Sequence, residues 1–299
     1  MKEEKIISLL KRKFKSPKGI VGIGDDCAVL PYSKKEYLLF TTDTILEDVH
    51  FKISHISPYY IGYKALAVNI SDIAAMGGIP LYAVINLGLP EFNLKLVDAV
   101  YRGVKKIACD FDVRIVGGDT VKSGKLFLAV CMIGKVEKKF LVKREKAQSG
   151  DLIAVTGQIG NACASGKHYK FTPRLKEARW IVKNLKPSSM IDISDGLVID
   201  LFRICQASKK GAVIIKDEIP VSSGVKNFYS AITEGEDFEL LFTISSKNKF
   251  QDKIPETKTK ITIIGKITSR PGIYLKTAQK LKKIKPQGYD HFERNNFGI

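Results

Sequence analysis

The chain has 299 residues, with 49 Lys+Arg against 31 Asp+Glu and a formal net charge of +18 at pH 7. Hydrophobic residues make up 44% and charged residues 27%, an ordinary globular mix that excludes disordered and collagen-like chains, and the length suits two domains. No apolar run approaches the ~20 residues needed to span a bilayer, so a membrane protein is excluded.

At the N-terminus, MKEEKIISLLKRKF has no continuous apolar stretch and no small-residue cleavage site, so it does not read as a secretory signal and a cytoplasmic protein is expected. Ile6, Ile7, Leu10 and Phe14 recur at helical spacing, which predicts an amphipathic helix over 1–15 packed on its own domain. A strand follows at 37–44, then a helix at 60–76 stopped by Gly77-Gly78 with Pro80 beyond. A strand at 81–89, a helix at 94–109 and strands at 113–116 and 126–133 complete the first half. Residues 134–151 are charged and poorly patterned, which predicts a domain boundary there, dividing the chain into 1–137 and 138–299. The second half reads as strands at 152–156, 190–193, 212–216, 238–243, 260–267 and 272–275, with helices at 174–185 and 197–207. The expected fold class is α+β, built from two α/β domains.

Cys27, Cys109, Cys131, Cys163 and Cys205 stand far apart and form no C-x-x-C or Cys/His ligand pair, so buried free thiols are expected. The positive charge calls for an anionic partner or a solvated lysine surface. Lysine clusters at 11–15, 138–146 and 276–285 lack interleaved aromatics, so neither nucleic acid nor membrane is expected as a partner.

Two apparent phosphate loops fail. Between Gly160 and Gly166 there are five residues rather than four, and His168 stands where a metal-binding Ser or Thr belongs. Gly22-Ile23-Gly24 lacks a third glycine and leads into Asp25-Asp26, which would repel a bare pyrophosphate. The informative pattern is a set of aspartates beside Gly, Ser or Thr: Asp25 and Asp26 in GIGDDCAVL, Asp43 in TTDT, Asp72 in ISD, Asp119 in GGDT, and Asp192 with Asp195 in IDISDGL. Most are expected at the ends of apolar strands. Asp72 falls on a helix with a packed face and needs a partner there. Brought together, seven carboxylates repel, and hard divalent cations resolve that repulsion. Mg²⁺ takes carboxylates together with substrate phosphates, an arrangement suited to phosphoryl transfer from a nucleoside triphosphate. His50, seven residues beyond Asp43, either serves the same cleft or is a satisfied structural residue.

In order and spacing, GIGDDCAVL, TTDTILEDVHF, GYKALAVNISDIAAMGGIP, GGDT, ISDGL, GEDFELLF and GYDHF resemble the thiamine-monophosphate kinase family, within the aminoimidazole-ribonucleotide-synthetase-like ATP-binding superfamily. The resemblance runs from about residue 20 to residue 292. It implies ATP-dependent phosphorylation of thiamine monophosphate to thiamine diphosphate, and a homodimer paired through the first domain. It also implies Asp26, Thr41, Thr42, Asp43, Asp72, Asp119, Asp192 and Asp195 as ligands for several Mg²⁺ ions. Tyr101, Gly118, Asp119, Arg144 and Ser194 are implied to contact ATP, and His50, Glu236 and Tyr289 the thiamine phosphate. Tyr289 replaces a tryptophan common in the family's GWDHF, and residues 157–171 depart from the family pattern. The attacking phosphate oxygen is already an anion, so no side chain is nominated as a catalytic base, and direct in-line transfer is expected. The alternative is another small-acceptor ATP-dependent enzyme of the same superfamily. A selenophosphate synthetase should carry a reactive Cys or Sec beside Lys near the N-terminus, whereas Cys27 follows two acids.

Overall fold

The computed structural model describes residues 2–292. In the first half, β1 (Ala28–Pro31), β2 (Glu36–Leu46), β3 (Ile79–Leu89), β4 (Arg114–Lys122) and β5 (Phe127–Glu137) form a mixed sheet in the order β1-β2-β5-β3-β4. All neighbouring pairs are antiparallel except β3 with β4, which is parallel. Along β5, buried residues Leu128, Val130, Met132 and Val136 alternate with half-buried ones, the period-two signature of a sheet packed on one face. Three helices accompany this sheet: α1 (Lys2–Lys13), α2 (Pro58–Ala75) and α3 (Leu94–Asp110).

The second half is a seven-stranded mixed sheet in the order β12-β11-β8-β10-β6-β9-β7. Its strands are β6 (Leu152–Thr156), β7 (Ser189–Asp192), β8 (Gly211–Ile215), β9 (Leu240–Ile244), β10 (Ile261–Thr268), β11 (Gly272–Lys276) and β12 (Leu281–Ile284). Helices α4 (Ala162–Ser165), α5 (Lys167–Lys170), α6 (Leu175–Asn184), α7 (Leu197–Ser208) and α8 (Phe228–Thr233) flank it.

α2 is the shared spine. Pro58 at its first turn suits the N-terminus, where its missing N–H leaves no bond unmade. From Ile61 onward the helix is almost wholly buried: Ile61, Leu66, Ile70 and Ile73 join the core of the first sheet, while Ala74 and Ala75 pack with Ala154, Met190 and Phe242 of the second. Against α3 the two backbones meet directly. A Cβ added at Gly103 would lie 1.8 Å from the Tyr59 carbonyl oxygen, and one at Gly62 would lie 1.9 Å from that of Val100.

Several expectations change here. β2 continues through Asp43 to Leu46 and β4 through Asp119 to Lys122, so these aspartates sit within strands rather than at their ends; Asp192 alone of the three closes a strand. α1 buries no residue and leaves Ile6, Leu9 and Leu10 exposed, as is Phe14 just beyond it, because the edge carrying Glu3, Glu4, Ile7, Ser8 and Lys11 faces a cleft and the rest of its apolar face meets no core. Of the cysteines, Cys27 and Cys205 are buried, Cys131 and Cys163 half-buried and Cys109 exposed, all as free thiols. β1, α4, α5, α8 and β12 are too short to register as periodicity in the sequence. Among the described residues, no helix is long and apolar enough to cross a membrane.

Candidate active site

Asp26 lies in the loop before β1, Asp72 in the last turns of α2, and Asp192 at the end of β7. Each brings one carboxylate oxygen to a common point, all within 4.8 Å of one another. Thr41 Oγ1 donates to Asp72 Oδ2 at 2.5 Å, and Ser71 Oγ donates to Asp192 Oδ2 at 2.6 Å. Asp72 thus has the partner its helix position demanded. Asp26 Oδ2 is buried with no hydrogen-bond partner among the described residues. Burial, then repulsion from Asp43 and Asp192, holds the Asp72 carboxyl well above the usual range; burial and Asp26 do the same to Asp192. Asp43, mid-strand on β2, is pushed up to about 6 by burial, against a hydrogen bond to Asp72 that works the other way. An orphaned carboxylate oxygen beside acids raised by burial and then by their own crowding fits a hard divalent cation, which would lower all of these pKa values together.

Arginines bound the cluster. Arg144 Nη2 donates to Asp26 Oδ1 at 2.6 Å, and the Arg144 backbone N–H donates to Asp25 Oδ1 at 3.3 Å. Burial opposes the Arg144 charge, but Asp26 and Asp25 outweigh it and hold its pKa above the ordinary value. Asp25 itself is pushed up to about 7, by burial and by Asp26. On the other side Arg203 Nη1 donates to Asp195 at 2.6 Å and to Asp200 at 2.7 Å, while Arg203 Nε donates to Glu4 of α1 at 3.0 Å. The resulting cleft has a cavity of about 580 Å³ roofed on one side by α1.

Asp43, Asp72, Asp192, Ser194 and Asp195 also line a second cavity of about 220 Å³, so the two cavities share a wall. The second is walled by rings. His50 and His291 meet edge-on with centroids 5.2 Å apart, and Tyr289 meets His291 at 4.9 Å. His50 Nδ1 accepts the Leu46 N–H at 3.0 Å, which places the proton of the neutral ring on Nε2. Burial holds this imidazole neutral, with its pKa lowered to about 4. Glu236 reaches the same cavity from a loop laced onto the Ser194 segment: Glu236 N–H donates to Ser194 O at 2.6 Å and Phe238 N–H to Ile193 O at 2.8 Å. Of residues 157–171, Cys163 lines this cavity; Phe171 stacks on the lining Phe238 at 4.1 Å, and Lys167 pairs with the buried Glu239.

The structure therefore gathers Asp26, Thr41, Asp43, Asp72, Asp192, Asp195, Arg144 and Ser194 around one cleft, and His50, Glu236 and Tyr289 around its neighbour. Thr42 lines the cleft too, but strand alternation turns its side chain to the opposite face from Thr41 and Asp43, leaving its main chain as the route to an ion. Gly118 and Asp119 lie on the exposed strand β4, three strand spacings (roughly 14 Å) from Asp43. Tyr101 packs on the core from α3. None of these three lines either cavity. Sequence reading missed Lys64 and Arg203. Their only signal was a lone cation in an apolar helix, with acids three or eight residues before it in the case of Arg203 (Asp200, Asp195).

A family model described as "AIR synthase related protein, N-terminal domain" matches residues 24–136, the segment that carries the first sheet and Asp25, Asp26, Asp43 and Asp72 of the acidic cleft. The mixed two-sheet fold recurs in the HypE–HypF complex, at a TM-score of 0.75 and 17% identity over 94% of this chain and 99% of that one. Closer similarity is to thiamine-monophosphate kinases: that of Buchnera aphidicola subsp. Acyrthosiphon pisum is 36% identical over 92% of this chain and 93% of its own length. That of Aquifex aeolicus is 34% identical over 96% and 97%. A solved structure described as AaThiL complexed with AMPPCP and TMP superposes at a TM-score of 0.85, with 32% identity over 97% of each chain. The chain belongs to the thiamine-monophosphate kinase family, and its class is that of the phosphotransferases.

Proposed function

We propose that this chain transfers the γ-phosphate of ATP to thiamine monophosphate, giving thiamine diphosphate and ADP. The carrying observation is the shared wall: an acidic, metal-suited cleft opens through Asp43, Asp72, Asp192, Ser194 and Asp195 into a ring-walled cavity that suits a flat heterocycle. The acceptor's terminal phosphate oxygen forms the new bond to the γ-phosphorus as the bond to the β-phosphate bridging oxygen breaks, in line and without a phosphoenzyme. That oxygen needs no base, and no side chain is assigned as one. Asp26, Asp43, Asp72, Asp192 and Asp195, with Thr41 and the main chain of Thr42, would hold several Mg²⁺ ions; when bound, the metal neutralises phosphate charge between otherwise repelling carboxylates.

The chain's own residues then orient the two substrates. His50 offers its Nε2–H toward the acceptor phosphate. Tyr289 and His291 offer ring faces, and Glu236 a carboxylate, to a cationic heterocycle bearing an amino group. Arg144 and Ser194 border the nucleotide side.

We further propose that the active unit is a cytoplasmic homodimer in which residues 1–137 form the pairing domain and 138–299 complete the site. The open face of the first sheet supports this: Phe40, Ile133 and Tyr82 are cross-strand neighbours in one row, and Thr42, Cys131 and Val84 in the next. Beside them β4 is exposed along its whole length. A partner placed against this face would bring the partner's Gly118 and Asp119, on the exposed strand β4, to the nucleotide, which this chain's own copies do not reach.

A panel of acceptors tests the function. ADP release in the presence of Mg²⁺ should be stimulated by thiamine monophosphate and not by free thiamine or unrelated phosphate monoesters. Stimulation by a different acceptor instead would overturn the assignment.

A further inference from the structure

Lys64 is 1% exposed, in the middle of the apolar helix α2. Its Nζ lies 2.6 Å from Glu236 Oε2, donates to the His50 carbonyl at 3.3 Å, and stands 5.3 Å from the centre of the Tyr169 ring. The ammonium thus ties together the two segments that carry the proposed acceptor contacts, the loop after β2 and the loop before β9. We infer that Lys64 is a positioning residue for acceptor binding: through its ion pair it fixes the Glu236 carboxylate against the acceptor's ring system. The inference rests on the acceptor reading given above.

Two features make a purely structural role a poor account. A buried ion pair is a weak source of stability, since apolar residues of the same volume serve as well or better. A methionine would fill this place in α2 without desolvating a charge. Glu236 also holds a left-handed backbone, φ 71°, which a non-glycine residue adopts only where its surroundings over-determine it. Its neighbour must be glycine, because a Cβ at Gly235 would lie 2.2 Å from the Ser194 carbonyl oxygen. The loop is therefore bent so that the carboxylate points at Lys64 and into the cavity. Other charged and titratable groups line the same cavity, among them His50, His291, Tyr289, Cys163, Asp43 and Asp195. Lys64 is the cation paired with the carboxylate.

The test is a cycle of Lys64→Met, Glu236→Gln and the double variant. It reads KM for thiamine monophosphate, kcat, affinity for a nonhydrolysable ATP analogue, and the unfolding midpoint. Each single variant is expected to raise KM at least 10-fold, with kcat and analogue affinity within about 3-fold of wild type. The double variant should raise KM no further than the worse single one, because Lys64 acts through Glu236. Multiplying KM effects, or a fall in kcat at unchanged KM, would overturn the inference. If Lys64→Met unfolds alone, the double variant decides: folded with the KM of Glu236→Gln supports the inference, and unfolded assigns Lys64 to the fold and overturns it. Wild-type turnover is measured first. Its absence would overturn the acceptor reading, whereas wild-type turnover with a multiplicative cycle overturns only the role of Lys64.

Discussion

Asp72 and Asp192 are costly residues in a protein without bound metal, since burial and mutual repulsion disfavour their charged forms. Asp72→Asn is therefore expected to unfold no lower than wild type in EDTA, by calorimetry, while turnover falls by about 10²-fold or more through loss of charge stabilisation in the transferring phosphoryl group. A parallel loss of stability and activity would make Asp72 structural instead. The same electrostatics set a pH dependence. Asp25 and Asp200 are raised to about 7 and Asp237 to about 8, in each case first by burial. A carboxyl with a raised folded pKa adds stability that is complete below its ordinary pKa and is lost as pH rises through the raised value. His50 and His168, lowered to about 4 by burial, oppose this trend, but only below their ordinary value of 6.5. The metal-free protein should consequently lose thermal stability as pH rises from about 6.5, where the histidines cease to oppose the trend, to about 8, where the last of these acids has ionised. A midpoint that rises with pH in EDTA would contradict the burial of these acids. The aspartates were legible in sequence because each sits beside small residues in a recognisable motif. Lys64 and Arg203 were not, because what makes them matter is an ion pair to residues 172 positions away in one case and 199 in the other (Glu236 and Glu4).

α2 and α3 meet through glycine. With the Tyr59 carbonyl 1.8 Å from a Cβ at position 103, Gly103→Ala must push two helix backbones apart, which costs about 1–3 kcal/mol or more as overpacking. Denaturant unfolding measures it, and a variant as stable as wild type would show that the helices are free to separate. Long elements were legible for a simple reason: α2, α3 and β3 carry whole periods of burial, and Gly77-Gly78 or Pro80 punctuate them. The strand at 37–44 was legible through Asp43 and runs only two residues further; what escaped was the extent of β4. There Gly117-Gly118-Asp119 interrupt the apolar run that marks a strand, yet the ladder continues through them, with Asp119 opposite Asn86. The direction of α1 was also hidden, since its amphipathic pattern cannot tell which of its two faces is turned inward. Here Glu4 answers, bound to Arg203.

At the scale of the molecule, the first sheet keeps one face on the helices and leaves the other open, with Phe40, Tyr82 and Val84 exposed. Val84→Lys places a charge in the middle of that face without touching the chain's own core. It is expected to shift the protein from dimer to monomer in sedimentation and to depress turnover, because Gly118 and Asp119 no longer reach a nucleotide. A monomeric wild type, or a dimer indifferent to the change, would contradict the pairing. The central claim is that the acidic cleft and the ring-walled cavity are one kinase site. Incubation with ATP labelled at the γ-phosphate, Mg²⁺ and thiamine monophosphate, followed by chromatography, tests it most directly. The prediction is label in thiamine diphosphate, none on the protein, and no transfer once EDTA removes the metal. Label released only as inorganic phosphate, with no thiamine diphosphate formed, would contradict it.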